Sequence, residues 1–309
     1  MEPPMFGLGP STSYVDLQFR SRPGVIATGV LAEASGVTLV DPGPTSCLEA
    51  LRGGLAAEGI AMADVTSVLL THIHLDHAGV TGTLVQQQPA IEVYVHERGA
   101  KHLVDPAKLI ESASRLYGTQ MGPLWGAMLP VPPDRVRPLR GGERLRVGAR
   151  EIEVAYTPGH ASHHVSYLDR RMGLAWVGDT GGVRVGQSGF ILPPTPPPDI
   201  DLEAWDASLA TIRAWDPGRL FLTHFGPVEP VRDVLDELAV RLRDSAEMVR
   251  RSLGAGPGDV EQYAAFREEF LGYLGRFMSE RDLATYEDAA SLHYNWQGLA
   301  RYWRKRSAN

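Results

Sequence analysis

The feature that most limits the fold of this chain is a cluster of potential metal ligands directly after an apolar strand. The run Val65 to Leu70 predicts a buried strand, and the motif His-x-His-x-Asp-His follows it at once. Because side chains alternate in extended backbone, His72, His74 and Asp76 can project to one side, and His77 follows from the turn. Rigid scaffolds present functional groups at the ends of strands, so the motif predicts a metal site there.

Three further strands end in the same way, each with a single potential ligand at its carboxyl end. His160 follows the strand predicted over 152–156, Asp179 follows that over 174–177, and His224 follows that over 219–223. Alone, each of these residues would be weak evidence. Together with the first motif they predict one site built from five histidines and two aspartates.

The order of the predicted elements indicates an α/β fold. Strands come first (14–19, 24–31 and 37–40), strands and helices then interleave, and the chain is helical beyond residue 230. Ser46 to Glu49 resembles a capping box that opens a helix, and Asp201 is predicted to cap another. We therefore predict a catalytic domain over 1–230 and a helical C-terminal extension over 231–309.

Residues 105 to 130 are apolar, carry few charges, and predict a helical insertion that packs over another part of the molecule. One interpretation is a substrate lid in which Met121 and Trp125 contact an apolar part of the substrate. Core packing or a dimer contact would explain the same residues, and a homodimer is left open.

The composition limits which metal ligands and which binding partners the chain can have. The only cysteine is Cys47, so a thiolate-rich metal site is excluded and any metal must be held by His, Asp or Glu. The formal net charge of −7 argues against a nucleic-acid partner and favours a small-molecule substrate. No apolar run is long enough to span a membrane, and the N-terminal residues lack a secretory pattern, so a cytoplasmic protein without membrane contact is expected.

With these motifs in this order, residues 12 to 230 resemble the metallo-β-lactamase superfamily. The resemblance implies a four-layer αβ/βα sandwich with two divalent metal ions in a cleft along one edge, zinc being the first candidate and manganese, iron or cobalt alternatives. It further implies a first ion on one group of ligands, a second ion on another, and Asp179 as the bridge between them. The first group is His72, His74 and His160, and the second is Asp76, His77 and His224.

The residues around these positions carry weaker expectations. Asp41 lies where the family often has a carboxylate that orients a ligand histidine, although a turn-forming Asp-Pro-Gly explains it equally well. His164 is predicted to lie behind the ligands and His163 at the surface. We expect His96, His102 and His293 to be structural or exposed.

The resemblance implies hydrolysis of an ester, lactone or thioester by a hydroxide shared between the two ions, with Asp76 orienting the nucleophile or passing a proton to the leaving group. The ligand set is similar to that of glyoxalase II-type thioesterases and lactonases, since Cys47 is far from every motif and cannot serve as the cysteine ligand of the commonest β-lactamases. A mononuclear iron enzyme that oxidises a persulfide is an alternative. A phosphodiesterase is a weaker alternative, because the chain is acidic and lacks a basic arm.

Overall fold

A computed structural model describes residues 4–184 and 189–307. The first of its two sheets contains seven strands in chain order, antiparallel up to the fourth strand and parallel from there onward. These strands are β1 Met5–Gly9, β2 Thr12–Asp16, β3 Ala27–Glu33, β4 Gly36–Val40, β5 Val65–Leu69, β6 Glu92–His96 and β7 Val136–Leu139.

The second sheet has six strands, and its spatial order runs from β13 through to β8. Its pairs are antiparallel except for β11 and β12, which run parallel. The strands are β8 Arg144–Val147, β9 Arg150–Tyr156, β10 Val165–Asp169, β11 Leu174–Trp176, β12 Arg219–Leu222 and β13 Gly226–Val228.

Helices cover the outer faces of both sheets. In chain order they are α1 Leu48–Ala57, α2 Leu75–Ala78, α3 Thr81–Gln87, α4 Glu97–Val104, α5 Ala107–Tyr117, α6 Met121–Trp125, α7 Leu202–Trp215, α8 Val231–Ser252, α9 Asp259–Leu274, α10 Glu280–Ala289 and α11 Leu292–Ser307. Among the described residues, no helix is long and apolar enough to cross a membrane.

Three apolar cores fill the spaces between these layers. The core between the sheets includes Leu31, Tyr167 and Trp176. The outer face of the first sheet packs against α1, α3 and α5, while that of the second packs against α7 and the C-terminal helices. The order helix, sheet, sheet, helix confirms the predicted αβ/βα sandwich with helices added at its C-terminal end.

Two local predictions are wrong, and in each the turn chemistry explains why. The strand predicted over 14–19 ends at Asp16, whose carboxylate accepts hydrogen bonds from the backbone N–H groups of Gln18 (2.9 Å) and Gly24 (2.8 Å) and so holds the chain in a turn. Ser46 does not cap α1, because its hydroxyl donates to the carbonyl of Leu124 at 2.6 Å. The predicted cap at the other helix is confirmed, since the Asp201 carboxylate accepts from Ala204 N at 2.9 Å.

Candidate metal centre

The seven predicted ligands lie together where the ends of the two sheets meet. In the first group, His74 Nδ1 is 3.0 Å from both His72 Nε2 and His160 Nε2. Three nitrogens on one tetrahedral zinc ion would be about 3.3 Å apart. This group therefore has the spacing of ligands that share one cation.

The second group lies beside the first, with Asp179 between them. His224 Nε2 is 3.2 Å from Asp76 Oδ2, and His77 Nε2 is 3.7 Å from the same oxygen. Asp179 Oδ1 faces this group, at 3.2 Å from His77 Nε2 and 3.6 Å from His224 Nε2. Its other oxygen, Oδ2, faces the first group at 3.4 Å from His160 Nε2. The two oxygens of one carboxylate are thus divided between the two groups.

Three buried polar atoms in this cluster have no hydrogen-bond partner: His77 Nε2, His224 Nε2 and Asp179 Oδ1. A buried polar group without a partner costs about 1–3 kcal/mol, so three of them at one point require an explanation. All three aim at the space between the rings and carboxylates. Cations at that point would satisfy them, and the residues therefore fit the divalent metals of the predicted centre.

Four of the five histidines are fixed through their second ring nitrogen, Nδ1. That of His160 donates to the carbonyl of Pro194 at 2.8 Å, and that of His224 to the carbonyl of Val25 at 2.7 Å. The Thr71 hydroxyl donates to a carboxylate and so accepts from His72 Nδ1 at 3.1 Å. These acceptors hold the tautomer that leaves Nε2 free for a metal.

Asp41 orients the fourth of these histidines. Its Oδ2 accepts from His77 Nδ1 at 2.8 Å and from the hydroxyls of Thr71 and Thr223, both at 2.7 Å, while Oδ1 accepts from Thr71 N at 2.8 Å. Asp41 therefore joins the ends of β4, β5 and β12 behind the cluster. Of the two sequence interpretations, this geometry favours the one in which Asp41 orients a ligand.

His74 and Asp76 already have the protonation states that metal ligands need, whereas His77 must release a proton before it can bind a cation. Burial and then His160 lower the pKa of His74 to about 4, so this ring is neutral at pH 7. Burial alone would raise the pKa of Asp76, but neighbouring imidazoles outweigh it and lower that pKa to about 2. Burial alone would lower the pKa of His77, but the carboxylates of Asp179 and Asp76 outweigh this effect and raise that pKa well above its usual value. Ionised carboxylates and neutral imidazoles are the forms that bind cations.

His164 and His163 occupy different positions. His164 is fully buried behind the ligands, with Nδ1 2.9 Å from the Thr157 hydroxyl and its ring stacked on His72 at 5.1 Å. His163 was expected at the surface, and this expectation is wrong. Its ring lies 5.7 Å from that of His74, it faces the cavity above the cluster, and its buried Nδ1 has no partner.

A cavity of about 730 Å³ opens above the cluster. Its floor includes His74, Asp76 and Asp179, and its walls come from α4, α5, the proline-rich loop after β11, and the start of α11. His102, expected to be structural or exposed, is one of the wall residues. The volume lies within the usual range for small-molecule sites.

The helical insertion contributes one wall of this cavity. Trp125 lines it, with its ring stacked on Phe19 at 5.5 Å and in edge contact with Tyr117 at 5.1 Å. Met121 packs against the core of the first sheet and is not among the lining residues, so it is dropped from the candidate substrate contacts. Sequence reasoning missed Tyr117, although it follows a run of cavity-facing residues at helical spacing.

Comparison with known proteins agrees with this architecture. The model of the metallo-beta-lactamase superfamily matches residues 21–224, a span that contains every residue of the cluster, and the chain belongs to this superfamily. It is a metal-dependent hydrolase, as the motifs predicted.

Individual relatives are distant. The chain is 29% identical over 197 residues to a metallo-beta-lactamase fold-containing protein of Sulfurisphaera tokodaii, covering 62% of this chain and 72% of that one. It is 24% identical over 303 residues to the probable metallo-hydrolase YqjP of Bacillus subtilis, covering 89% and 92%. A metallo-beta-lactamase family protein from Thermus thermophilus superposes with a TM-score of 0.73 at 23% identity, over 98% of this chain and 96% of that one. At such identities the structural likeness establishes the fold.

Proposed function

We propose that this chain is a dinuclear metal-dependent hydrolase of an ester, lactone or thioester bond, with zinc as the metal best suited to its nitrogen and oxygen ligands. His72, His74 and His160 would hold one ion, and a second group, Asp76, His77 and His224, would hold the other. The observation that carries the proposal is the division of the two Asp179 oxygens between these groups. A single ion would not require both.

When bound, two such ions supply Lewis acidity, which polarises a carbonyl oxygen and acidifies water enough for attack at neutral pH. The chain's own residues supply position and proton transfer. Asp76 is ionised and faces the cavity, so it could accept a proton from the attacking water and pass it to the leaving group. Asp41 and the carbonyl of Pro194 hold the rings of His77 and His160 in place.

The cavity wall supports an amphipathic small-molecule substrate. Trp125 and Tyr117 present fixed aromatic surface above the floor, which suits an apolar acyl chain. We retain the lid interpretation for Trp125 on this basis. Core packing or a homodimer contact through residues 105–130 remains open as an alternative role for the insertion.

The test combines metal content with activity. Protein purified without added metal should contain two zinc ions per chain, and chelation followed by zinc should abolish and then restore hydrolysis of an acyl thioester. His77→Ala should lose metal and activity, whereas His293→Ala, whose ring pairs with Gln297, should keep both. One iron per chain, together with oxidation of glutathione persulfide, would instead establish the iron-dependent alternative. Cleavage of a phosphodiester, with no action on any carboxylic ester or thioester, would favour the phosphodiesterase.

A further inference from the structure

One wall of the cavity changes from cationic to apolar along two consecutive helices. On α4, Arg98, Lys101 and His102 are three and four residues apart and share a face toward the cavity. On α5 the cavity face begins at residue 108 and continues at helical spacing through Lys108, Leu109, Ser112, Ala113, Leu116 and Tyr117. From the first to the last of these, the helix rises about 13 Å.

This gradient has a fixed direction relative to the metal centre. The His163 ring lies 5.7 Å from that of His74, and the His163 Cβ lies 3.5 Å from the position that a Cβ would take at Gly99 of α4, so His163 lies between the first ligand group and α4. At the other end, the Tyr117 ring lies 5.1 Å from that of Trp125, and the next residue, Gly126, packs on Thr45, whose hydroxyl donates at 3.1 Å to the carbonyl of Gly79, two residues after His77. The cations of α4 therefore lie on the side of the first ligand group, and the apolar residues at the end of α5 lie on the side of the second ligand group.

The acidic residues near these cations have other partners. Asp199 accepts from the Ser162 hydroxyl at 2.6 Å, Asp105 accepts from the N–H of Ala107 at 3.2 Å, and Glu97 pairs with Arg140 at 2.8 Å.

The cations of this wall differ in whether another side chain already binds them. Arg98 is held by the Tyr156 hydroxyl at 3.0 Å. Within the part of the chain that the structure describes, Lys101 and Lys108 form no ion pair with a carboxylate. Two ammonium groups are thus available at the α4 end of the cavity, whose lining elsewhere includes the apolar Leu116, Tyr117 and Trp125 together with the charged Arg20 and Glu287.

We propose that the substrate carries an anionic group, a carboxylate or a phosphate, which Lys101 and Lys108 bind at the α4 end of the cavity, and an apolar acyl chain that lies against Leu116, Tyr117 and Trp125. This inference rests on the proposed hydrolysis of an ester or thioester. It adds that the substrate is an amphipathic anion and that its scissile bond lies between the two ends of the wall.

The experiment compares two decanoyl thioesters that differ in one charge: the thioester of mercaptopropionate and that of its neutral amide. Thiol release gives kcat/KM for each. The wild-type enzyme should prefer the carboxylate about tenfold, since two partly exposed ion pairs contribute a few-fold each. Lys101→Gln with Lys108→Gln should remove the preference, and the same positions changed to Glu should reverse it. Arg115→Gln is the matched control, because this α5 cation pairs with Glu111 and does not line the cavity.

A third substrate, the decanoyl thioester of mercaptoethyl phosphate, separates the two sources of the anion. A preference larger than that for the carboxylate, lost in the same double variant, assigns the site to phosphate. A smaller one assigns it to a carboxylate. Equal kcat/KM for charged and neutral thioesters in the wild-type enzyme would overturn the inference.

Binding separates failure of the inference from failure of the proposed function. The corresponding decyl thioethers cannot be hydrolysed, and calorimetry measures their affinity for the purified protein. Tighter binding of the carboxylate than of the amide, dependent on both lysines, would support the anionic site even if no thioester were cleaved. Cleavage of both thioesters at equal rates, with equal binding of both thioethers, would leave the hydrolase intact and refute the anionic site.

Discussion

If the proposed dinuclear centre is correct, replacing Asp41 by Asn should weaken binding of the ion held by Asp76, His77 and His224 without unfolding the protein. Asp41 lies in the left-handed region at φ 48°, a conformation that Asn also adopts readily, so the backbone should not change. An amide has only one acceptor oxygen, so its N–H₂ would face either His77 Nδ1 or Thr71 N, both of which donate to Asp41. In the second orientation the negative charge that holds the His77 ring is lost. In the first, His77 must move its proton to Nε2, the atom that faces Asp179, to avoid two opposed donors. A protonated Nε2 cannot bind a metal.

The expected loss of metal affinity and of folding stability follows from the hydrogen bonds that Asp41 makes. Orienting partners of this kind typically contribute 10–100-fold to metal affinity, which corresponds to about 1.4–2.7 kcal/mol. Folding stability should fall by about 1–3 kcal/mol as well, because the buried hydroxyls of Thr71 and Thr223 lose a charged acceptor. Zinc titration against a competing chelator measures the first quantity, and urea unfolding of the metal-free protein measures the second.

Asp16→Asn is the matched control. Asp16 is equally buried and also accepts backbone hydrogen bonds, but it lies at the end of β2 and has no hydrogen bond to a candidate ligand. Its substitution should lower stability and leave metal affinity unchanged. If folded Asp41→Asn protein bound both zinc ions as tightly as the wild type, the assignment of Asp41 as the residue that orients His77 would be refuted.

Four further predictions follow from the geometry. Asp179→Asn should reduce the metal content below two per chain, because an amide does not bridge two cations, and unchanged stoichiometry on metal analysis would contradict this. Trp125→Ala should reduce kcat/KM for long-chain thioesters more than for short ones, since the lost apolar contact contributes about 1–3 kcal/mol, and equal losses would indicate packing alone. Gly298→Ala should destabilise the protein by about 1–3 kcal/mol in thermal unfolding, because its Cβ would lie 2.0 Å from the carbonyl oxygen of Thr195, whereas Gly272→Ala, with nothing within 4 Å, should not. Burial raises the pKa of Cys47 to about 11, so less than about 1% of it is thiolate at pH 8, and alkylation should be roughly a hundred-fold slower than for a free thiol unless the protein unfolds.

The fold and the ligand cluster could be predicted from sequence because their signals are local. Each candidate ligand follows an apolar strand within a few residues, and the strand brings that segment to the edge of its sheet. His163 shows where this reasoning ends. Its spacing from His160 says nothing about the cavity, which forms only when α4 and α5 pack over the cluster.

Contacts between distant segments could not be predicted. The Ser46 hydroxyl has the sequence of a helix cap, yet it bonds to Leu124, 78 residues further along the chain. The carbonyl of Pro194 orients His160 through a backbone atom, which no residue pattern reveals. The helical spacing of Lys101, Lys108 and Tyr117 is visible in the sequence, so their place on helix faces could have been predicted. Only the fold shows which side of each helix meets the cavity.

The close packing of α11 on the proline-rich loop has a consequence for the order in which the candidate site is assembled during synthesis. Asn295 Oδ1 accepts from Thr195 N at 2.8 Å, and the carbonyl of the preceding Pro194 is the acceptor for His160. Every ligand residue is therefore translated before the helix that braces one of them. A ribosome-bound chain that has just exposed His224 already carries the full set of ligands, but the support for His160 arrives about seventy residues later. At typical elongation rates of about 5–20 residues per second, this support would follow the last candidate ligand by several seconds.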